Sequence, residues 1–376
     1  MIDTGQEPND NDNEEEEPFS ETVIIQTPEL RASLRALTKD MRAALRLKSA
    51  DEARFLVDTY YMMQRQRIRA SHQARACATD QEPAAVLTWL MVQSTVLENF
   101  IKSILDQYTK THPIGPWLRG ITGIGPVIAA GLVANIKIEK APTVGHIWSY
   151  AGLNPTVTWG KGESCPWNRS LKTLCWKLGE SFVKHQNNDK DMYGRYYLKR
   201  RKIEERKNAA GEFADLAAAT LAAKNISKKT DAYKWYSGEW TRSKTLNKTL
   251  YESLVADKLA ELRCDQGYSS AGEEVVQTLA EEYAIAFLKT QPLRPMLPPA
   301  RIYARSKRWA VKLFLSHMHG EWYRTHYGEE PPLPYPIAFM ADMGHSHFIA
   351  PPPTSRASEE NLDDEASRTT EENRAP

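Results

Sequence analysis

Gly123-Ile124-Gly125-Pro126, set between two apolar, helix-competent runs, constrains this chain more than any other stretch. Glycine permits a positive φ and leaves no Cβ to obstruct an approaching group. Pro126 suits the first position of a helix, where its missing N–H costs nothing. The amides of Val127 and Ile128 then fall in the first turn, where no intrahelical acceptor exists for them, and they point along the helix dipole at any anion ahead. The side chains of Val127, Ile128, Leu132 and Val133 are expected to face a core. The pattern is that of a helix–hairpin–helix: Gly123, Gly125, Pro126 and Val127 are candidates for holding a phosphate through the main chain. A plain helix-packing turn that touches no phosphate satisfies the same four residues.

Residues beyond the hairpin narrow the choice. Tyr150-Ala151-Gly152-Leu153-Asn154-Pro155 reads as a turn, and Asn168-Arg169-Ser170-Leu171-Lys172 opens another helix. In this order, from about Trp117 to Lys207, the chain resembles the C-terminal domain of insertion-sequence transposases of the IS-one-ten type. There the pattern runs G-x-G-P, A-G-L-x-P, a Ser-Gly, and a G-N-x-x-L-R helix. The resemblance implies a DNA-clasping domain, preceded by a coiled-coil segment and, before that, a RuvC-like nuclease holding two metal ions on four carboxylates. It also implies a nucleophilic serine ahead of the glycine. This sequence departs from the pattern there: Thr156-Val157-Thr158-Trp159-Gly160 puts tryptophan where the serine is expected. Ser164 is the nearest hydroxyl and the weak catalytic candidate, with Thr156 and Thr158 weaker still; an ordinary loop serine explains Ser164 as well.

Two-metal chemistry needs clustered carboxylates on ordered strands. Only an acidic, low-complexity stretch precedes the first expected helix, so no nuclease is expected in this polypeptide. No metal site and no cofactor are expected either. Two residues apart on a helix, His317 and His319 point about 200° apart, and His345 and His347 read as a docking turn before Pro351-Pro352-Pro353. The four cysteines (Cys77, Cys165, Cys175, Cys264) lack CxxC spacing, which fits reduced thiols in a cytoplasmic protein. With no long apolar run, no membrane span is expected.

The net charge of +1 conceals an asymmetry. Residues 1–22 hold nine acids and no Lys or Arg; residues 355–376 hold seven acids against three Arg, leaving about +14 on the body between them. That body suits a polyanion. From Lys161 to Lys207 there are thirteen Lys or Arg against six acids, interleaved with Trp159, Trp167 and Trp176. Lys161, Arg169, Lys172 and Lys177 are the candidate phosphate contacts, whereas Trp176, one step from an inward Cys175, reads as a core anchor.

Periodicity organises the rest. Residues 1–26 read as a disordered acidic tail. Residues 27–112 read as a helical coiled coil or bundle: Leu30, Leu34, Leu37, Met41 and Ala44 step 4-3-4-3, a second helix spans about Asp51 to Ala76, and Leu87 to Tyr108 steps 3-4. This arm is expected to serve assembly by self-association. Residues 113–207 form the transposase-like domain, 208–300 a helical spacer or insertion, 301–350 a long helix with a docking turn, and 351–376 a second disordered acidic tail. Arg301, Arg305, Lys307 and Arg308 crowd the start of that long helix, where the dipole disfavours them, so a phosphate or a neighbouring acid is expected to compensate. The whole reads as an all-α, DNA-binding protein without its own nuclease, with structured RNA a second candidate partner. The alternative is a strand-transfer subunit using a serine or threonine, with a nuclease in trans.

Overall fold

The computed structural model describes residues 49–79, 85–157, 159–160, 162–264, 272–339 and 348–352. In chain order the helices are α1 (Ala50–Thr79), α2 (Ala85–Thr111), α3 (Gly115–Gly120), α4 (Pro126–Asn135), α5 (Val144–Tyr150), α6 (Arg169–Lys184), α7 (Met192–Ala209), α8 (Ala214–Ala223), α9 (Asp231–Ser237), α10 (Lys248–Cys264), α11 (Glu273–Thr290), α12 (Pro299–Tyr327) and α13 (Tyr335–Phe339). Short 3-10 turns lie at Ile138–Lys140 and Glu239–Arg242. Every regular element among the described residues is helical, as the all-α reading expects. The helix expected over residues 27–44, the first acidic tail, the second from residue 353, Lys161, Thr158, His345 and His347 lie outside the described residues. None of the described helices is long and apolar enough to cross a membrane. Contacts divide the chain into two units: residues up to Arg195 together with those from Ala310, and Tyr196–Trp309. The division falls within α7 and α12.

In the first unit, α1 starts where Ser49 and Glu52 cap each other: the Glu52 amide donates to Ser49 Oγ at 3.1 Å, and the Ser49 amide to Glu52 Oε2 at 3.2 Å. Helices α1 and α2 run antiparallel, with Val57 in one cluster with Ile101 and Leu105 and Arg67 Nε donating to Glu98 at 2.9 Å. Burial pushes the Glu98 carboxyl up, against the pull of Arg67. The 3-4 seam on α2 is only partly covered: Ile101 and Ile104 are buried, whereas Leu90 and Leu97 are exposed.

Helix α4 is apolar all round, and such a helix belongs in the middle of a core. All its residues except Ile128 are buried. Val127 and Ala130 pack with Val57, Ile101 and Leu105 of the arm. Gly131 lets α6 approach closely, since a Cβ there would lie 2.7 Å from Leu174 Cδ2. Helix α6 buries Leu171, Leu174, Cys175, Leu178 and Phe182, the face its periodicity predicts. Trp176 corrects the sequence reading: at 48% exposed it stands on the outer face and anchors nothing in the core.

The part of α12 from Ala310 closes this unit. Phe314 meets Trp117, Phe182 and Tyr193 at ring-centroid distances of 5.9, 5.8 and 5.3 Å. His317 and His319 are core residues with structural partners. The Tyr193 hydroxyl donates to His317 Nδ1 (2.9 Å), and His317 Nε2–H donates to the Ile349 carbonyl (2.8 Å). His319 Nε2–H donates to the Ala141 carbonyl (2.8 Å). Burial lowers both imidazole pKa values, although each carbonyl pulls the other way.

The second unit has two small cores. One joins α10 and α11 through Val255, Leu262, Val276, Ala280 and Ala284. The other gathers Ala217, Tyr236, Leu297 and Ile302. Here one of the crowded cations at the start of α12 meets a carboxylate: Arg305 Nε donates to Glu204 Oε2 at 2.9 Å, and Arg200 Nε of α7 to Glu204 Oε1 at 2.8 Å. Burial alone would raise the Glu204 pKa, but the two guanidiniums outweigh it and hold the carboxyl low. In the tetrabasic run of α7, Arg201 is likewise engaged, with Glu205 one turn on at 2.8 Å.

Candidate nucleic-acid interface

The hairpin joins α3 to α4. Gly123 takes φ +86, so its glycine is required by the turn. It also lies against α6, where a Cβ would come 3.0 Å from Ser181 Oγ. Gly125 is different. Its φ of −82 and ψ of 175 are open to any residue, and a Cβ there would meet nothing within 4 Å. Packing does not ask for glycine at this position, the cap that adjoins the first-turn amides of α4.

The hairpin's carbonyls are tied off from within the protein. Gly123 O accepts from Ser181 Oγ (2.6 Å), Ile124 O from Arg119 Nη1 (2.9 Å), and Ile121 O from the Ile124 amide (3.1 Å). The i→i−4 ladder of α4 closes only at Ala129, whose amide donates to Gly125 O (3.0 Å). The Val127 and Ile128 amides precede that closure. Val127 is buried and Ile128 half-buried.

The basic residues stand elsewhere. Helix α6 begins at Asn168, whose side chain accepts from the Leu171 amide (2.8 Å) and donates to the Tyr150 hydroxyl (2.9 Å). The same side chain reaches Asn135 at the end of α4. Since Gly123 before α4 meets Ser181 and Asn135 at its end meets Asn168, the two helices are antiparallel. The hairpin therefore lies near one end of α6 and Arg169 near the other, about 20 Å away at 1.5 Å per residue. The candidate residues thus form two groups, the hairpin and the cations of α6, the second running along the helix from Arg169 to Lys177, which is about 6 Å from Ser181.

Each described cation of the second group rests on a ring: Arg169 on Trp159 (5.5 Å to the centroid), Lys172 on Trp167 (4.0 Å) and Lys177 on Tyr61 (4.0 Å). Such contacts orient the cation. They also occupy the ring faces, so these aromatics serve the charges before they serve any base. The turn ahead of α6 is shaped by Glu163: its carboxylate accepts from the Gly160 amide (2.8 Å) and its carbonyl from Trp159 Nε1 (2.9 Å). Ser164 is exposed beside it.

A groove of about 220 Å³ opens between α1 and α6. Arg169 and Lys177 line it from α6, and Arg54, Asp58 and Tyr61 from α1. Arg54 reaches across to the Ala134 carbonyl and also pairs with Asp51. The sequence reading assigned α1 to assembly and missed Arg54, which meets its partner from 80 positions away with no local signal. Asn135, which also lines the groove, was visible as a lone amide ending an otherwise apolar helix.

No curated protein and no solved structure matches this chain. A family model described as Transposase IS116/IS110/IS902 family matches residues 116–172, which run from α3 and the hairpin through the α5 turn to the first residues of α6, and stop short of the Lys207 to which the resemblance was expected to extend.

Proposed function

We propose that this protein binds DNA in a transposition-type process, gripping the sugar–phosphate backbone with the hairpin before α4 and with the cations of α6. The observation that carries the reading is Gly125, the α4 cap, where a Cβ would meet nothing within 4 Å, beside amides that precede the α4 ladder. A missing Cβ there leaves space for a phosphate to reach those amides. The family match over the same residues supports a transposition-related role. Contacts of this kind position a duplex without reading its sequence. In this reading cutting is left to another polypeptide, with no nucleophilic part for Ser164, and the exposed apolar residues of α1 and α2, Phe55, Trp89, Leu90 and Leu97 among them, form a self-association surface.

A gel shift on duplex DNA over a salt series, with and without Mg²⁺, tests this. The expected result is intact, shifted DNA with an affinity that falls steeply with salt. Absence of binding at about 50 mM salt, or cleavage or covalent attachment lost in Ser164→Ala, contradicts it.

A further inference from the structure

We propose that the groove between α1 and α6 takes one unpaired nucleotide, its phosphate against Arg169 and Lys177 and its base inside. This rests on the DNA-binding reading and adds to it a preference for interrupted duplexes. The lining carries Arg54, Arg169 and Lys177 against Asp58, and with Arg54 paired to Asp51 a surplus of one positive charge remains, which favours an anion. The space of about 220 Å³ is many times the roughly 10–15 Å³ that one water needs in the same measure, so the groove admits a group larger than a lone ion. Val57 and Leu174, both buried, give the groove an apolar floor suited to the face of a base. Ser170 and Thr173 supply hydroxyls for its edge, whereas the Asn135 amide is engaged with the Gly131 carbonyl and Asn168. The hairpin meets α6 at Ser181, about 6 Å along the helix from Lys177 and about 18 Å from Arg169, so one nucleic acid can reach both sites at different points. A duplex gripped at the hairpin can offer this groove only a nucleotide that has left the stack.

The test is fluorescence anisotropy with the full chain on a fully paired duplex, the same duplex with one extrahelical thymidine, and a single strand. The wild type is expected to bind the bulged duplex about tenfold more tightly than the paired one. Thr173→Trp, which fills the groove without removing a cation, is expected to abolish that preference, so that bulged and paired duplexes bind this variant alike. Should Thr173→Trp fail to fold, Lys177→Gln is expected to cut the preference at least by about half. Equal affinity of the wild type for paired and bulged duplexes, or a preference that survives both variants, overturns the groove proposal while duplex binding stands. No binding to any of the three DNAs overturns the backbone-binding reading as well.

Discussion

Arg169 and Lys172 sit on indole rings in the first turn of α6, so each presents its charge from a fixed place. If each meets one phosphate, Arg169→Ala or Lys172→Ala lowers the slope of log affinity against log salt by about 1, alike on unrelated sequences. A titration of affinity against salt on two unrelated duplexes checks this. The buried histidine His317 gives a second residue-scale prediction. Burial depresses its pKa below the ordinary value of 6.5, so above that value both folded and unfolded states are neutral and pH has no leverage. As pH falls below it, the unfolded chain takes the proton first and stability drops. His317→Gln removes that loss, so the stability advantage of wild type over the variant shrinks between about pH 7 and pH 5 in thermal unfolding.

At the scale of elements, α4 and α6 place everything that matters. The sequence made both legible: α4 as an all-apolar run opened by proline, α6 as an amphipathic helix opened by asparagine. Their antiparallel packing was not legible, because it is carried by Gly131 against Leu174 and by Asn135 against Asn168, pairs with no local signature. For that reason the sequence named the hairpin residues and the α6 cations but not the distance between them. The same blindness placed Trp176 inside, since one helical step from Cys175 is a rotation of about 100° and carries a side chain from core to solvent. Asn168 ties the α6 start to its cap and to Tyr150. Asn168→Ala is expected to cost about 1 kcal/mol in denaturant unfolding. A loss of nothing would show that the cap is idle.

At the scale of the molecule, the all-α architecture came through in helical periodicity and proline-marked starts, whereas the division into two units did not. The second unit begins within α7 and ends within α12, and a continuous helix offers no composition break to mark the change. The arm's self-association belongs here too. Leu90 and Leu97 lie seven residues apart on α2 and are 40% and 41% exposed. Leu90→Lys combined with Leu97→Lys is expected to shift the chain toward monomer in sedimentation velocity with its helical content unchanged. An unaltered sedimentation profile would exclude this surface.

The most direct measurement is duplex-DNA affinity of Gly125→Val beside Gly120→Ala, another position where a Cβ meets nothing within 4 Å. Valine at the cap position of α4 is expected to cost about 1 kcal/mol of stability and leave the fold intact. The backbone-gripping account predicts at least about a tenfold loss of DNA affinity for Gly125→Val and none for Gly120→Ala. A folded Gly125→Val protein that binds duplex as tightly as the wild type would contradict it.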